Sequence, residues 1–197
     1  GCRPKCLWHD REGAWLVKFR HTYDPKDIGR MEYKYNEVAR KCGINVPDYK
    51  LLDGKYFASK RFDIENGKRL HIATAGALLN ESISNPKLDY KVLLHLTGYL
   101  TQDSQQVDEM FQRMVFNVLT DNKDDHVKNF SFICREGKWS LAPAYDLTLC
   151  KEGYHGEHAT SANNKGNPDI EDMLAVGESI RIPRRKGMEI INHMINH

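Results

Sequence analysis

One long apolar face constrains this chain more than any other feature. Val107, Met110, Phe111, Met114, Val115, Val118 and Leu119 recur at i, i+3, i+4, i+7, i+8, i+11 and i+12, the spacing of one side of an α-helix. Such a stripe must be buried on that side against other elements, and Asp103 or Ser104 is available as its N-cap. Directly after it come a polar loop (Asp121 to Lys128), an apolar strand (Phe130 to Cys134), a turn (Arg135 to Lys138) and a second strand (Trp139 to Ala142). The order is helix, loop, hairpin and then an acidic residue, Asp146.

The chain upstream has a different character. Ala14 to Phe19 is an apolar run of strand length behind a polar turn at Asp10 to Gly13, which reads as half of a hairpin. Met31, Tyr35, Val38 and Ala39 fall at helical spacing between Gly29 and Cys42, with Gly43 as the stop. Strands are expected at Lys50 to Leu52 and Tyr56 to Arg61, joined by the Asp53-Gly54 turn. After about Asp63 the pattern turns helical, from Ile72 onward for most of fifty residues, which places a lobe boundary near 62 to 70. Asn163 to Pro168 reads as a loop, and Asp169 to Val176 and Arg184 to Ile195 as helices.

At 197 residues, with 40% hydrophobic and 28% charged residues, the chain can bury a core and lies far from the composition of disorder. The net charge of +2 gives no reason to expect direct nucleic-acid binding, and the basic run Arg181 to Lys186 reads as a solvated helix start. Five scattered cysteines, at 2, 6, 42, 134 and 150, argue for a reducing compartment, hence the cytoplasm, and Cys2 and Cys6 lack zinc-finger partners. No apolar run approaches a membrane span. The chain starts at Gly1 without a methionine and stops in a helix-like run, the pattern expected of a processed chain or a fragment.

Asp124 and Asn129 stand five positions apart in one loop, and Asp146 follows at the far end of the hairpin that the loop opens. Phosphoryl transfer asks for this set: a carboxylate beside the accepting hydroxyl, and hard oxygen ligands that hold magnesium against nucleotide phosphates. Asp-x-x-x-x-Asn alone is common in surface loops and caps. Here it sits between an apolar helix and an apolar hairpin, among Asp121, Asn122, Lys123 and Asp125, a density of polar groups that core packing does not require.

The segment FNVLTDNKDDHVKNFSFICREGKWSLAPAYD, Phe116 to Asp146, resembles the signature of the HipA-like kinase family, in which a D-x-H-x-K-N-F-S loop is followed by P-x-Y/F-D. GCRPK at 1 to 5 is similar to the family's nucleotide loop, LVKF to its lysine strand, RFD at 61 to 63 to its hinge, and EHATSANNKG at 157 to 166 to a stretch after the metal site. The resemblance implies an α+β, two-lobed, protein-kinase-like fold, with a small β-rich lobe over 1–63 and a mainly helical lobe over 64–197. It implies ATP and Mg2+ as cofactors, Asp124 as the base or hydroxyl-orienting group, and Asn129 and Asp146 as metal ligands. Lys18 would reach the phosphates, held by Glu32, with Glu37 a competing choice by spacing. Lys128 would neutralise transferred charge and His126 line the site or, equally, brace the loop. Arg61, Phe62 and Asp63 would form the hinge, and Gly1 to Lys5 the loop over the phosphates.

The family likeness further implies a serine/threonine protein kinase acting as the toxin of a bacterial toxin–antitoxin pair, with a translation component as protein substrate and a DNA-binding antitoxin as partner. Two other readings stay open: a silent nucleotide- or partner-binding module of such a complex, and a small-molecule kinase. Full-length relatives carry an additional N-terminal subdomain and, in some cases, a regulatory serine before the nucleotide loop, neither of which is visible here. All of this requires the carboxylates of Asp124 and Asp146 and the amide oxygen of Asn129 to converge on one cleft facing Lys18.

Overall fold

The computed structural model describes residues 3–82 and 88–197. Its first part is a four-stranded antiparallel sheet, order β1-β2-β4-β3, built from β1 (Lys5–Asp10), β2 (Gly13–Lys18), β3 (Tyr49–Leu52) and β4 (Tyr56–Lys60). Alternation sorts the sheet into two faces. Trp15, Val17 and Ala58 form a small apolar cluster on one side, while Leu16, Lys18, Phe57 and Ser59 line a cavity on the other. Lys5 pairs with Lys18 across β1 and β2, so two ammonium-bearing residues sit side by side at one end of the sheet.

Helix α1 (Ile28–Lys41) crosses this sheet. It packs close because Gly29 has no side chain: a Cβ there would stand 2.0 Å from the Lys55 carbonyl oxygen. Its end is a Schellman motif, since Gly43 takes φ +83° and the N–H groups of Gly43 and Ile44 close onto the carbonyls of Arg40 and Ala39. Asp53 and Gly54 both adopt positive φ in the β3–β4 connection, as a tight primed turn requires.

A short hairpin, β5 (Ile64–Glu65) with β6 (Lys68–Arg69), leads into β7 (His71–Thr74) and the short helix α2 (Ala75–Leu79). Here the structure corrects the helical reading from Ile72. His71 to Thr74 pair with Cys134 to Ser131, so this segment becomes the third strand of a sheet whose order is β7-β8-β9. Its partner lies far downstream, and tertiary pairing outweighs local pattern.

The remainder is mainly helical: α3 (Tyr90–Thr101), α4 (Ser104–Leu119), α5 (Ile170–Ser179) and α6 (Arg184–Ile195) surround one core, interrupted by the hairpin β8 (Ser131–Arg135) and β9 (Lys138–Leu141). Asp103 caps α4, its side chain accepting from the Gln105 N–H. Met110, Phe111, Met114 and Val115 are sealed in that core, but burial extends past the expected stripe to Arg113, Phe116 and Asn117, whereas Leu119 at the end is exposed. The sheet lobe and the helical lobe together make a two-lobed α+β fold.

Candidate active site

Lys18, at the end of β2, is buried and its ammonium bridges two carboxylates, Glu32 from α1 and Asp146 from the loop after β9. Burial pulls the Lys18 pKa down, yet the negative charges of Glu32 and Asp146 outweigh it and hold the group above its ordinary value, so it stays an ammonium. Burial likewise opposes ionisation of Asp146, but Lys18 wins and Asp146 is held at about 2. Glu32 is pushed up by burial, with Lys18 acting against it. Arg3 reaches the same cluster, 3.6 Å from Glu32 and 3.0 Å from Asp24. Glu37, the competing candidate, is exposed on the other side of α1.

Two cavities meet at Lys5, Lys18 and Asp146. The larger, about 460 Å³, is walled by Leu7, Leu16, Phe57, Phe62, Ile72 and Tyr145 and suits a flat apolar ring. At its rim Arg61 and Asp63 pair with each other through Arg61 Nε at 2.7 Å. The Arg61 N–H donates to the Ala14 carbonyl and the Asp63 carbonyl accepts from the Leu70 N–H, so this short segment is tied to the chain on both sides of Phe62. Phe62 also lies 5.7 Å from Tyr145, ring to ring. The Tyr145 phenol is pushed up to about 12 by burial, and its oxygen meets Ser131 Oγ at 2.5 Å and the Lys128 carbonyl at 2.6 Å.

The second cavity, about 260 Å³, carries Asp124 beside Asp146, with His21, Asp24, Thr148 and Cys150. Asp124 is half exposed, and His126 Nε2 stands 3.8 Å from its carboxylate. Partial burial raises the Asp124 pKa, His126 lowers it and Asp146 raises it, leaving the group above its ordinary value. Two buried polar atoms, Thr148 Oγ1 and His126 Nδ1, have no partner among the described residues.

Asn129 is placed differently from the expectation. Its Nδ2 donates to the Asp124 carbonyl at 2.7 Å, which leaves the amide oxygen to accept a hydrogen bond or to ligate a cation. It lines a separate cavity of about 10 Å³, room for a single water, together with Tyr145 and Leu147, the neighbours of Asp146. Lys18, Asp124 and Asp146 thus line one cleft, while Asn129 lines the small cavity with the two residues that flank Asp146. The Lys128 side chain is exposed and lines neither large cavity. Gly1 lies outside the described residues, and Lys5 stands 3.9 Å from Asp146.

The donor set fits magnesium, because Asp146 and Asn129 supply oxygen alone and the ion takes few protein ligands. Among the described residues no three His, Cys, Asp or Glu side chains form a closed metal cage. What sequence reasoning missed is a buried network behind the loop, in which Asp125 meets Tyr90, His158 and Thr160. The polar run EHATSANNKG was its one visible signal. Arg3 falls inside the expected nucleotide loop, but its pairing with Asp24 and Glu32 was not read from the sequence.

The fold places the chain among kinase-like proteins. It superposes on the toxin protein in the Shewanella oneidensis MR-1 HipA, HipB and operator DNA complex with a TM-score of 0.83 and 19% identity, covering 100% of this chain and 55% of that one. It also superposes on the Helicobacter pylori proinflammatory kinase CtkA with a TM-score of 0.61 and 14% identity, covering 98% and 88%. The family described as HipA-like C-terminal domain matches residues 1–197, and the chain belongs to it. In sequence it is 27% identical over 169 residues to the Sinorhizobium fredii (strain NBRC 101917 / NGR234) protein named "Putative kinase Y4dM", covering 77% of this chain and 41% of that protein. The chain therefore spans less than half the length of this curated relative.

Proposed function

We propose that this chain is the catalytic core of an ATP- and Mg2+-dependent serine/threonine protein kinase. The observation that carries the reading is the Lys18 ammonium, which bridges Glu32 and Asp146 where the apolar cavity meets the cleft containing Asp124. An adenine ring fits the larger cavity, whose wall includes Arg61, Phe62 and Asp63. Lys18 and Lys5 are the cations that would meet the phosphates at the junction. Bound magnesium would neutralise charge on the transferring group, with Asp146 and Asn129 as its protein ligands. Asp124 would orient the acceptor hydroxyl and take its proton, and its raised pKa brings it nearer to the working range of a base.

Membership of the HipA-like family and the likeness to the HipA–HipB–DNA complex support a role in a toxin–antitoxin pair, with a DNA-binding protein as partner. Among the described residues no helix is long and apolar enough to cross a membrane, and the four described cysteines are free thiols, which suits a cytoplasmic protein. The test is transfer of the γ-phosphate of ATP to protein, measured against Mg2+ concentration for the unsubstituted protein and for Asp146→Ala. Loss of metal-dependent transfer in the variant is expected, and unchanged turnover would reject the assignment. Nucleotide binding without transfer would select the silent-module reading instead.

A further inference from the structure

The residue next to the candidate base is almost sealed from solvent. Asp125 is 1% exposed, and its carboxylate accepts from Tyr90 Oη at 2.7 Å, the Thr160 N–H at 3.3 Å and His158 Nδ1 at 3.0 Å. A carboxylate can only accept, so the imidazole faces it with the proton on Nδ1. The Asp125 carbonyl takes Thr160 Oγ1 at 2.5 Å. Tyr90 is fixed in turn by Asn117 of α4 at 2.9 Å, and Asn117 by Asn122 of the loop at 2.8 Å.

The segment 148–167 is thereby strapped to the loop that carries Asp124. Further stitches run from the Ala159 N–H to the Lys123 carbonyl at 3.2 Å, and from Lys123 Nζ to the Gly156 carbonyl at 2.8 Å and Asn167 Oδ1 at 2.9 Å. Between these anchors residues 151–157 are exposed. Asp124 itself has little to hold its side chain, being half exposed with His126 as its one ion-pair neighbour among the described residues. Its position is set through the backbone, and the adjoining backbone is held by Asp125.

We propose that Asp125, His158 and Tyr90 form a latch that fixes the loop bearing Asp124 against the strap 148–167, and that they are positioning residues for the transfer step. The catalytic half of this inference rests on the kinase reading, whereas the latch does not. The test compares His158→Leu, which removes the donor, with His158→Asn, whose amide nitrogen lies where Nδ1 lies, and with Tyr90→Phe as an independent break of the same acceptor.

In the intact protein His158→Leu is expected to lower kcat about 10–100-fold while KM for ATP changes less than about twofold. Amide exchange across 148–167 and tryptic cleavage at Lys151 should accelerate in His158→Leu and Tyr90→Phe, and His158→Asn should restore both the rate and the protection. Unchanged exchange in His158→Leu, a parallel loss of kcat and affinity, or an Asn variant as impaired as Leu would each overturn the proposal. Exchange needs no turnover. A protein that transfers no phosphate, yet whose strap opens with Leu and closes with Asn, keeps the latch and sinks only the kinase reading.

Discussion

Two buried regions of this molecule are held together by opposite means. Around Phe111 the interior is closed by packing, with Met110, Met114, Val115 and Tyr90 all at 0% exposure and Gly177 leaving room for the Phe111 ring. Around Lys18 the interior is closed by charge, with one ammonium between Glu32 and Asp146 and Arg3 at the edge. Packing tolerates the loss of one member by leaving a hole, whose cost scales with its volume. A charge cluster tolerates it badly, because the remaining charges have neither water nor partner. The first region therefore stores stability, and the second holds reactive groups ready for a ligand that completes the balance.

The comparison breaks most sharply at Asp124. Asp124→Ala should cut phosphoryl transfer about 10²–10⁴-fold with hardly any change in melting temperature, since the side chain is half exposed. A large drop in melting temperature would move Asp124 to the structural side. Phe111→Ala should do the reverse, costing about 3–5 kcal/mol in denaturant unfolding while nucleotide binding survives at low temperature. Lost binding under native conditions would mean that the core and the cleft are not separable.

Proton titration sharpens the contrast. Asp124 must be ionised to take a proton, and its pKa lies above the ordinary carboxylate value, so activity should rise with pH through a limb above 3.8. His126 lowers that pKa, so His126→Ala should move the limb to higher pH; a shift to lower pH would contradict the electrostatics. The smallest effect concerns stability. Asp146 has its folded pKa depressed to about 2 from 3.8, so its contribution is present above 3.8 and fades as pH falls toward 2. Acid unfolding of Asp146→Asn should lack that part of the slope, and a slope unchanged from the parent would show that Lys18 does not hold Asp146 ionised.

What was legible in the sequence is what local rules determine. The heptad-like face of α4, the Asp53-Gly54 turn, the Gly43 stop and the helix over 184–195 each follow from spacing or a special residue, and the structure has them. β7 was not legible, because Ile72 becomes a strand residue only by pairing with Ile133. The buried role of Asp125 was equally hidden: in sequence it is one acid in a polar loop, and only the fold brings Tyr90, His158 and Thr160 onto it. Asp124 and Asp146 do line one cleft, but the bond from Asn129 Nδ2 to the Asp124 carbonyl is a matter of ångströms that no interval encodes.

Asp146 carries a second constraint, since its backbone lies in the left-handed region at φ +54°. Outside glycine, that conformation is adopted most readily by Asn, Asp and His. Glycine would relax the chain and erase the charge, and a β-branched residue would force the junction out of shape. Asparagine preserves contour and size while neutralising the group, so at this position chemistry and chain geometry can be varied one at a time.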